Sequence, residues 1–365
     1  MHKIFLIIPS LHRGGAERVV SIIANNLDHT LFDITLVLLE KRGSYLKDLR
    51  DDIKIVDLKQ SRVSRSIGSL IKLINTHKPD IVFSTLGHLN LLLMMFKIFM
   101  PRDVRFVARE ASIPSILNKN ERYPTIFNAL YKRLYPKFDR VVCQSRYMMQ
   151  DLHENFSIQK NLMRVINNPI DFDNIELKLS GQKSSLTRDM KNIVAVGSLE
   201  SVKGYDLLIE AIALSRRDDI RLFIIGEGSK QEELLALIDN LKLQSRVKLL
   251  GFKDNPYPYM RDADLMVLSS KFEGFPNTVL ESMACGTAVV AFKSPGGIEE
   301  IVIEAENGWF VEPYSVSKLR DAIDLHVDHQ IDADQIRASV FQRYNLEFII
   351  KEYETMFEEV LSEIA

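Results

Sequence analysis

Ile4-Phe5-Leu6-Ile7-Ile8-Pro9-Ser10-Leu11-His12-Arg13-Gly14-Gly15-Ala16-Glu17-Arg18-Val19-Val20 is the stretch on which the reading of the fold turns. Its apolar run is too short for a signal peptide and suits a strand buried on both faces. A turn with paired glycines follows. Beyond it Val19, Val20, Ile22, Ile23 and Leu27 fall on one side of a helix. Strand, glycine turn, helix is the repeating unit of a parallel α/β sheet.

Working outward, the unit recurs. Strands are expected at 34–39, 81–84, 104–108 and 140–144, with helices at 66–76, 89–99 and 123–135 between them. Residues 173–190 are polar and read as a linker. A second series follows, with strands at 193–196, 222–225, 247–250, 265–268 and 288–291. Its helices are expected at 205–215, 231–241, 277–284 and 317–326. In the tail Phe348, Ile349, Tyr353, Met356, Phe357, Val360 and Leu361 recur at helical spacing. The expected organisation is a first domain over 1–172, the linker over 173–190 and a second domain over 191–344. Helix 345–365 then completes the first. The fold class is α/β: two Rossmann-like parallel-sheet domains facing across a cleft, with ligands at the carboxyl ends of the strands.

The bulk numbers agree with two ordinary globular cores. The chain has 365 residues, 46% hydrophobic and 26% charged. Its two cysteines, Cys143 and Cys285, lie far apart in apolar contexts, which argues against a disulfide framework or a zinc site and for a reducing compartment. The longest apolar segment, 89–100, is interrupted by Lys97 and is too short to span a bilayer. The net charge of -2 hides an asymmetry. Residues 97–146 hold eleven Lys/Arg against four Asp/Glu, interleaved with Phe96, Phe99, Phe106, Tyr123, Phe127, Tyr131, Tyr135 and Phe138. That segment is either a solvated basic face or a surface for an anionic partner such as an inner-leaflet membrane. No nucleic-acid partner is expected.

Three loops carry candidate chemistry. Arg13-Gly14-Gly15 opens the first helix, where backbone N–H groups favour an anion, although a plain tight turn reads the same way. Gly197-Ser198-Leu199-Glu200-Ser201-Val202-Lys203-Gly204 sets a lysine just before a helix, which suits a diphosphate or is an ordinary surface lysine. The strongest is Phe272-Glu273-Gly274-Phe275-Pro276-Asn277-Thr278-Val279-Leu280-Glu281-Ser282-Met283-Ala284-Cys285-Gly286. Glu281, about two turns into an apolar helix, needs polar partners, and ribose hydroxyls would serve; Glu273, in the loop, can face a sugar. A capped helix with one exposed and one neutralised glutamate is the plainer alternative. Gly226-Glu227-Gly228, Gly251-Phe252 and Ser294-Pro295-Gly296-Gly297 are further strand-end loops.

At these residues the chain resembles the GT-B glycosyltransferases of family 4, whose members transfer with retention. The likeness covers essentially the whole chain and rests on four features. They are the Gly-Gly-Ala-Glu-Arg loop, Lys203-Gly204-Tyr205-Asp206, Gly226-Glu227-Gly228 with Asn307-Gly308, and the glutamate pair followed by Ser-Met-Ala-x-Gly. The resemblance implies a nucleotide sugar, expected to be a UDP-sugar, held mainly by the second domain, and an acceptor held mainly by the first. It implies no metal and no cofactor, since the donor is itself a substrate. Glu281 would hold the ribose and Glu273 the donor sugar. Lys203 would neutralise the diphosphate, helped by backbone at Gly14, Gly15, Gly296 and Gly297. Phe252 would lie near the base, and Ser198, Gly226, Gly274, Phe275, Pro276, Asn277 and Thr278 would line the donor site. Two departures stand out. Ser198 occupies the place where the family usually has arginine, so Lys203 is expected to take more of the charge, with Arg13 helping. Where many relatives carry histidine this chain has Arg109 and Glu110, either acceptor-side catalytic groups or a structural ion pair. Glu273, Lys203, Arg109 and Glu110 are the catalytic candidates.

The expected function is transfer of a hexosyl or N-acetylhexosaminyl unit to a lipid-linked or surface-polysaccharide acceptor, in the cytoplasm or on the inner face of the membrane. A sugar-nucleotide epimerase and a non-catalytic nucleotide-sugar-binding protein are the alternatives. A nicotinamide dehydrogenase is disfavoured, because no Gly-x-Gly-x-x-Gly stands in the first loop.

Overall fold

The computed structural model describes residues 1–12 and 14–363. It holds two compact units. The first comprises residues 1–169 with the tail from Glu347, and the second residues 170–346.

The first unit is built on seven strands: β1 (His2–Ile8), β2 (Phe32–Leu38), β3 (Lys54–Asp57), β4 (Ile81–Thr85), β5 (Arg105–Arg109), β6 (Arg140–Cys143) and β7 (Met163–Val165). They lie in the order β3-β2-β1-β4-β5-β6-β7, every pair parallel. The second unit has six: β8 (Lys191–Val196), β9 (Ile220–Ile225), β10 (Val247–Leu249), β11 (Leu265–Leu268), β12 (Val289–Phe292) and β13 (Gly308–Val311). Their order is β10-β9-β8-β11-β12-β13, again wholly parallel. Central strands such as β1 and β11 are buried on both faces, as their unbroken apolar runs require. The order reverses between β1 and β4 in one unit and between β8 and β11 in the other, where diverging loops leave room for a ligand.

The tail forms the helix Leu346–Ser362 and closes the first sheet. Phe357 is fully buried against Phe83 and Phe32, with ring centroids 5.7 and 6.0 Å away. Ion pairs at the helix edge fix its register: Arg164 Nη1 donates to Glu359 at 2.7 Å and Arg140 Nη2 to Glu363 at 2.6 Å.

Residues 173–190 are not a bare linker. The helix Phe172–Leu179 occupies the first half, and its Ile175 and Leu179 enter the second core. Ser184 then donates its hydroxyl to Asp262 at 2.8 Å. The second unit therefore begins at Ile170, before the expected boundary. The edge strands β3, β7 and β13 and the helix Ala333–Tyr344 add to the elements expected from sequence. Among the described residues no helix is long and apolar enough to cross a membrane.

Replacing Phe357 by alanine removes the ring that joins the tail helix to β2 and β4. The expected cost is about 3–5 kcal/mol of stability in the first unit, read from the urea midpoint.

Candidate functional site

In the second unit the candidate loops converge on the carboxyl ends of the strands. Gly197 and Ser198 follow β8, Gly226 follows β9, Phe252 lies past β10, Glu273 past β11, and Gly296 and Gly297 past β12. Backbone contacts join these loops. Glu273 N donates to Pro295 O at 3.0 Å, Gly297 N to Gly274 O at 3.0 Å, and Lys271 N to Val202 O at 2.7 Å. Two glycines permit this stacking. Gly296 has φ +129°, and a Cβ there would lie 1.5 Å from Glu273 O; Gly204 has φ +61°, and its Cβ would lie 2.2 Å from Ser269 O.

The stacking brings Lys203 and Glu273 together across 70 positions of sequence. Lys203 Nζ donates to Glu273 Oε1 at 2.6 Å, and the side chains are 18% and 15% exposed. Ser270 Oγ donates to the same carboxylate oxygen at 2.6 Å. Tyr205 is buried beneath; burial first, then the charge of Glu273, pushes its hydroxyl well above the usual phenol range. Ser270 and Tyr205 join the candidates only in the structure. So does Ser294, whose buried hydroxyl finds no hydrogen-bond partner among the described residues.

Glu281 is 4% exposed on the helix Asn277–Ala284, one turn in rather than the expected two. Burial, then the Glu281 charge, pushes the Cys285 thiol up to about 12. Gly274, Phe275 and Pro276 are buried at the head of this helix, with Asn277 and Thr278 half-buried on its first turn. Phe275 stacks edge-on to Tyr344 at 5.4 Å. Ser198 is exposed and Phe252 half-buried.

In the first unit Gly14 caps the helix Gly15–Asn26 in extended backbone, and the Glu17 carboxyl folds over it. Arg13 lies outside the described residues. Arg109 ends β5 and Glu110 follows it directly, and the two side chains hydrogen-bond to different partners. Arg109 is fully buried; its Nε donates to the Tyr353 hydroxyl at 3.2 Å and its Nη2 to Asn168 Oδ1 at 2.6 Å. Its Nη1 has no partner among the described residues. Glu110 instead meets Asn90 Nδ2 at 3.3 Å and the Tyr131 hydroxyl. Burial outweighs these bonds and raises its carboxyl to about 8.

The basic segment 97–146 is partly consumed inside its own unit. Arg105 and Lys97 pair with Asp139, and Arg140 with Glu363. The exposed cations are Arg102, Lys119, Arg122, Lys132, Arg133, Lys137 and Arg146. Exposed beside them in sequence are Ile98, Phe99, Tyr123 and Ile126.

Comparison with known proteins decides the family. Residues 13–174 match the model of "Glycosyltransferase Family 4", and residues 180–343 that of "Glycosyl transferases group 1". The chain is a family 4 glycosyltransferase. A relative from Campylobacter jejuni is 33% identical over 335 residues, covering 86% of each chain. That enzyme is the N-acetylgalactosamine-N,N'-diacetylbacillosaminyl-diphospho-undecaprenol 4-alpha-N-acetylgalactosaminyltransferase. The N-acetyl-alpha-D-glucosaminyl L-malate synthase of Bacillus anthracis is 28% identical over 233 residues, covering 61% of this chain and 60% of its own. Anabaena HepE, solved in complex with UDP, has the same fold, with a TM-score of 0.82 over 98% of this chain and 100% of its own at 22% identity. The glycosyltransferase thus has the two Rossmann-like sheets of the GT-B type. Among its described residues no group of three or more His, Cys, Asp or Glu side chains is placed to hold a metal ion.

Glu110 gives a pH test. Its folded pKa lies above the unfolded 4.5, so the stability it contributes is fully present below pH 4.5 and is lost as pH rises through about 8. In Glu110→Gln this loss disappears. Melting curves from pH 4.5 to 9 should show the variant gaining on the wild type, by roughly a few kcal/mol at the alkaline end.

Proposed function

We propose that the protein transfers a hexosyl or N-acetylhexosaminyl unit from a UDP-sugar to a lipid-linked or surface-polysaccharide acceptor, with retention of configuration and without a metal. The half-buried Lys203–Glu273 pair at the switch point of the second sheet carries this reading. An ammonium beside a carboxylate at strand ends is the pairing needed to hold a phosphate leaving group next to a sugar. The name of the Campylobacter jejuni relative, with its diphospho-undecaprenol-linked acceptor, supports the acceptor class.

Each residue then has a role. Glu281 accepts hydrogen bonds from the ribose and Glu273 from the donor sugar. Lys203 meets the charge that grows on the diphosphate, together with backbone N–H groups at Gly296 and Gly297. The acceptor hydroxyl oxygen bonds to the anomeric carbon on the face the leaving group vacates. The bond from that carbon to the phosphate oxygen breaks, and the hydroxyl proton passes to the departing diphosphate. Arg109 and Glu110 organise the acceptor side from within the first unit. The exposed Ile98, Phe99, Tyr123 and Ile126, with the cations flanking them, dock on an anionic lipid surface.

A screen of nucleotide sugars for donor hydrolysis tests the reaction class, with a UDP-sugar expected to be consumed. Lys203→Ala should lower kcat by about 100–1000-fold. Glu281→Gln should chiefly raise the donor KM, by roughly tenfold. Full activity in Lys203→Ala would remove the phosphate assignment. For the membrane, sedimentation with phosphatidylglycerol vesicles at low salt should carry the protein down and phosphatidylcholine vesicles should not. Protein left in the supernatant with both lipids counts against docking.

A further inference from the structure

We propose that Glu273 selects the sugar-bearing donor over the bare nucleoside diphosphate left after transfer, and so hastens product release. The proposal rests on the donor-site reading above and concerns what the ion pair does before and after the reaction.

The structure has the Lys203 ammonium already satisfied. Its Nζ sits 2.6 Å from Glu273 Oε1, and both side chains are more than four-fifths buried. Ser270 Oγ holds the same oxygen at 2.6 Å, and the bridge between Glu273 and Gly296 fixes the backbone behind it. The carboxylate is therefore held in place. A diphosphate arriving at Lys203 meets a pair whose net charge is zero, and it must share or displace that carboxylate.

The two ligands differ in how they can do this. A sugar-bearing donor brings hydroxyl groups whose O–H bonds donate to Glu273, so the carboxylate is satisfied as Lys203 turns to the phosphates. Its outer phosphate is a diester with one negative charge. The bare diphosphate brings no hydroxyl to that place, and its terminal phosphate approaches a second charge near neutral pH. It lies against an anion in a site largely shielded from water, where like charges repel strongly. Glu273 thus favours the donor and penalises the product.

The test uses the whole protein and equilibrium titration calorimetry with UDP, GDP, ADP and dTDP, each beside its monophosphate. Glu273→Gln removes the charge and keeps the shape. It should tighten the diphosphate that binds by about tenfold while leaving the matching monophosphate within about twofold. The ratio of the two affinities cancels any loss of folded protein. In a Lys203→Met background the Glu273→Gln gain should shrink but persist, because the freed ammonium and the lost repulsion both contribute to it. An unchanged or lower ratio in Glu273→Gln overturns the selection and leaves the donor-site reading standing. A wild-type protein that binds none of the diphosphates overturns both.

Discussion

Parallel strand pairing is the constraint from which the rest of the molecule follows. A parallel strand cannot return through a tight turn, so each needs a crossover, and both faces of the sheet become buried under helices. All carboxyl ends then lie along one edge. In the second unit that edge collects loops from residues 197, 226, 252, 273 and 296, which are remote in sequence. The loops still have to touch without unpaired backbone. They do so by short bridges such as Glu273 with Gly296, possible only where no Cβ intervenes. The Lys203–Glu273 contact is a product of this stacking and not of either loop alone.

The electrostatics of the two units differ in kind. In the second unit charge meets charge: one ammonium, one carboxylate, and a serine hydroxyl completing the carboxylate's bonds. Lys203 is a cation at this edge whose placement is fixed by a half-buried partner, Glu273. In the first unit, burial dominates instead. Glu110 lies among Asn90, Tyr131 and Tyr135, and desolvation raises its carboxyl. Arg109 is held by hydrogen bonds to neutral acceptors, the Tyr353 hydroxyl and Asn168. One of its nitrogens remains unsatisfied. The carboxyl groups of Glu17 and Glu110 lie near enough for the guanidinium to favour their charged forms.

The central strands are legible in the sequence because burial on both faces leaves unbroken apolar runs, as in Ile4–Ile8 and Leu265–Leu268. Edge strands lack that signature. Lys54-Ile55-Val56-Asp57 has two apolar residues, and Met163-Arg164-Val165 is only three long; each is fixed by a neighbour rather than by its own pattern. The helix Phe172–Leu179 hides in a polar stretch because only Ile175 and Leu179 are fully buried in the core, with Phe172 packed at its margin. The glutamate pair and Lys203 are readable from motif spacing. Ser270 and Ser294 are not, since a lone hydroxyl in a loop has no periodicity, and only the fold brings it against a carboxylate or into a buried wall. Arg109 and Glu110 read from sequence either as acceptor-side groups or as a structural ion pair; in the fold Arg109 turns to Tyr353 and Asn168, and Glu110 to Asn90 and Tyr131.

The basic segment shows why a charge count along the chain is not a surface potential. Of its cations, Arg105 and Lys97 hold Asp139, Arg140 holds the tail helix through Glu363, and Arg109 is inside. These shape the first unit and offer nothing to a partner. The remainder is concentrated on and around the helix Pro124–Leu134, where Lys132 and Arg133 close the last turn and Tyr123 and Ile126 stand exposed at the first. Exposed aromatic and branched side chains near lysines and arginines gain from an interface that is apolar inside and anionic at its rim. Water offers only the second of these. The sequence excess of positive charge thus divides by burial into cations that hold the first unit together and cations that stand exposed.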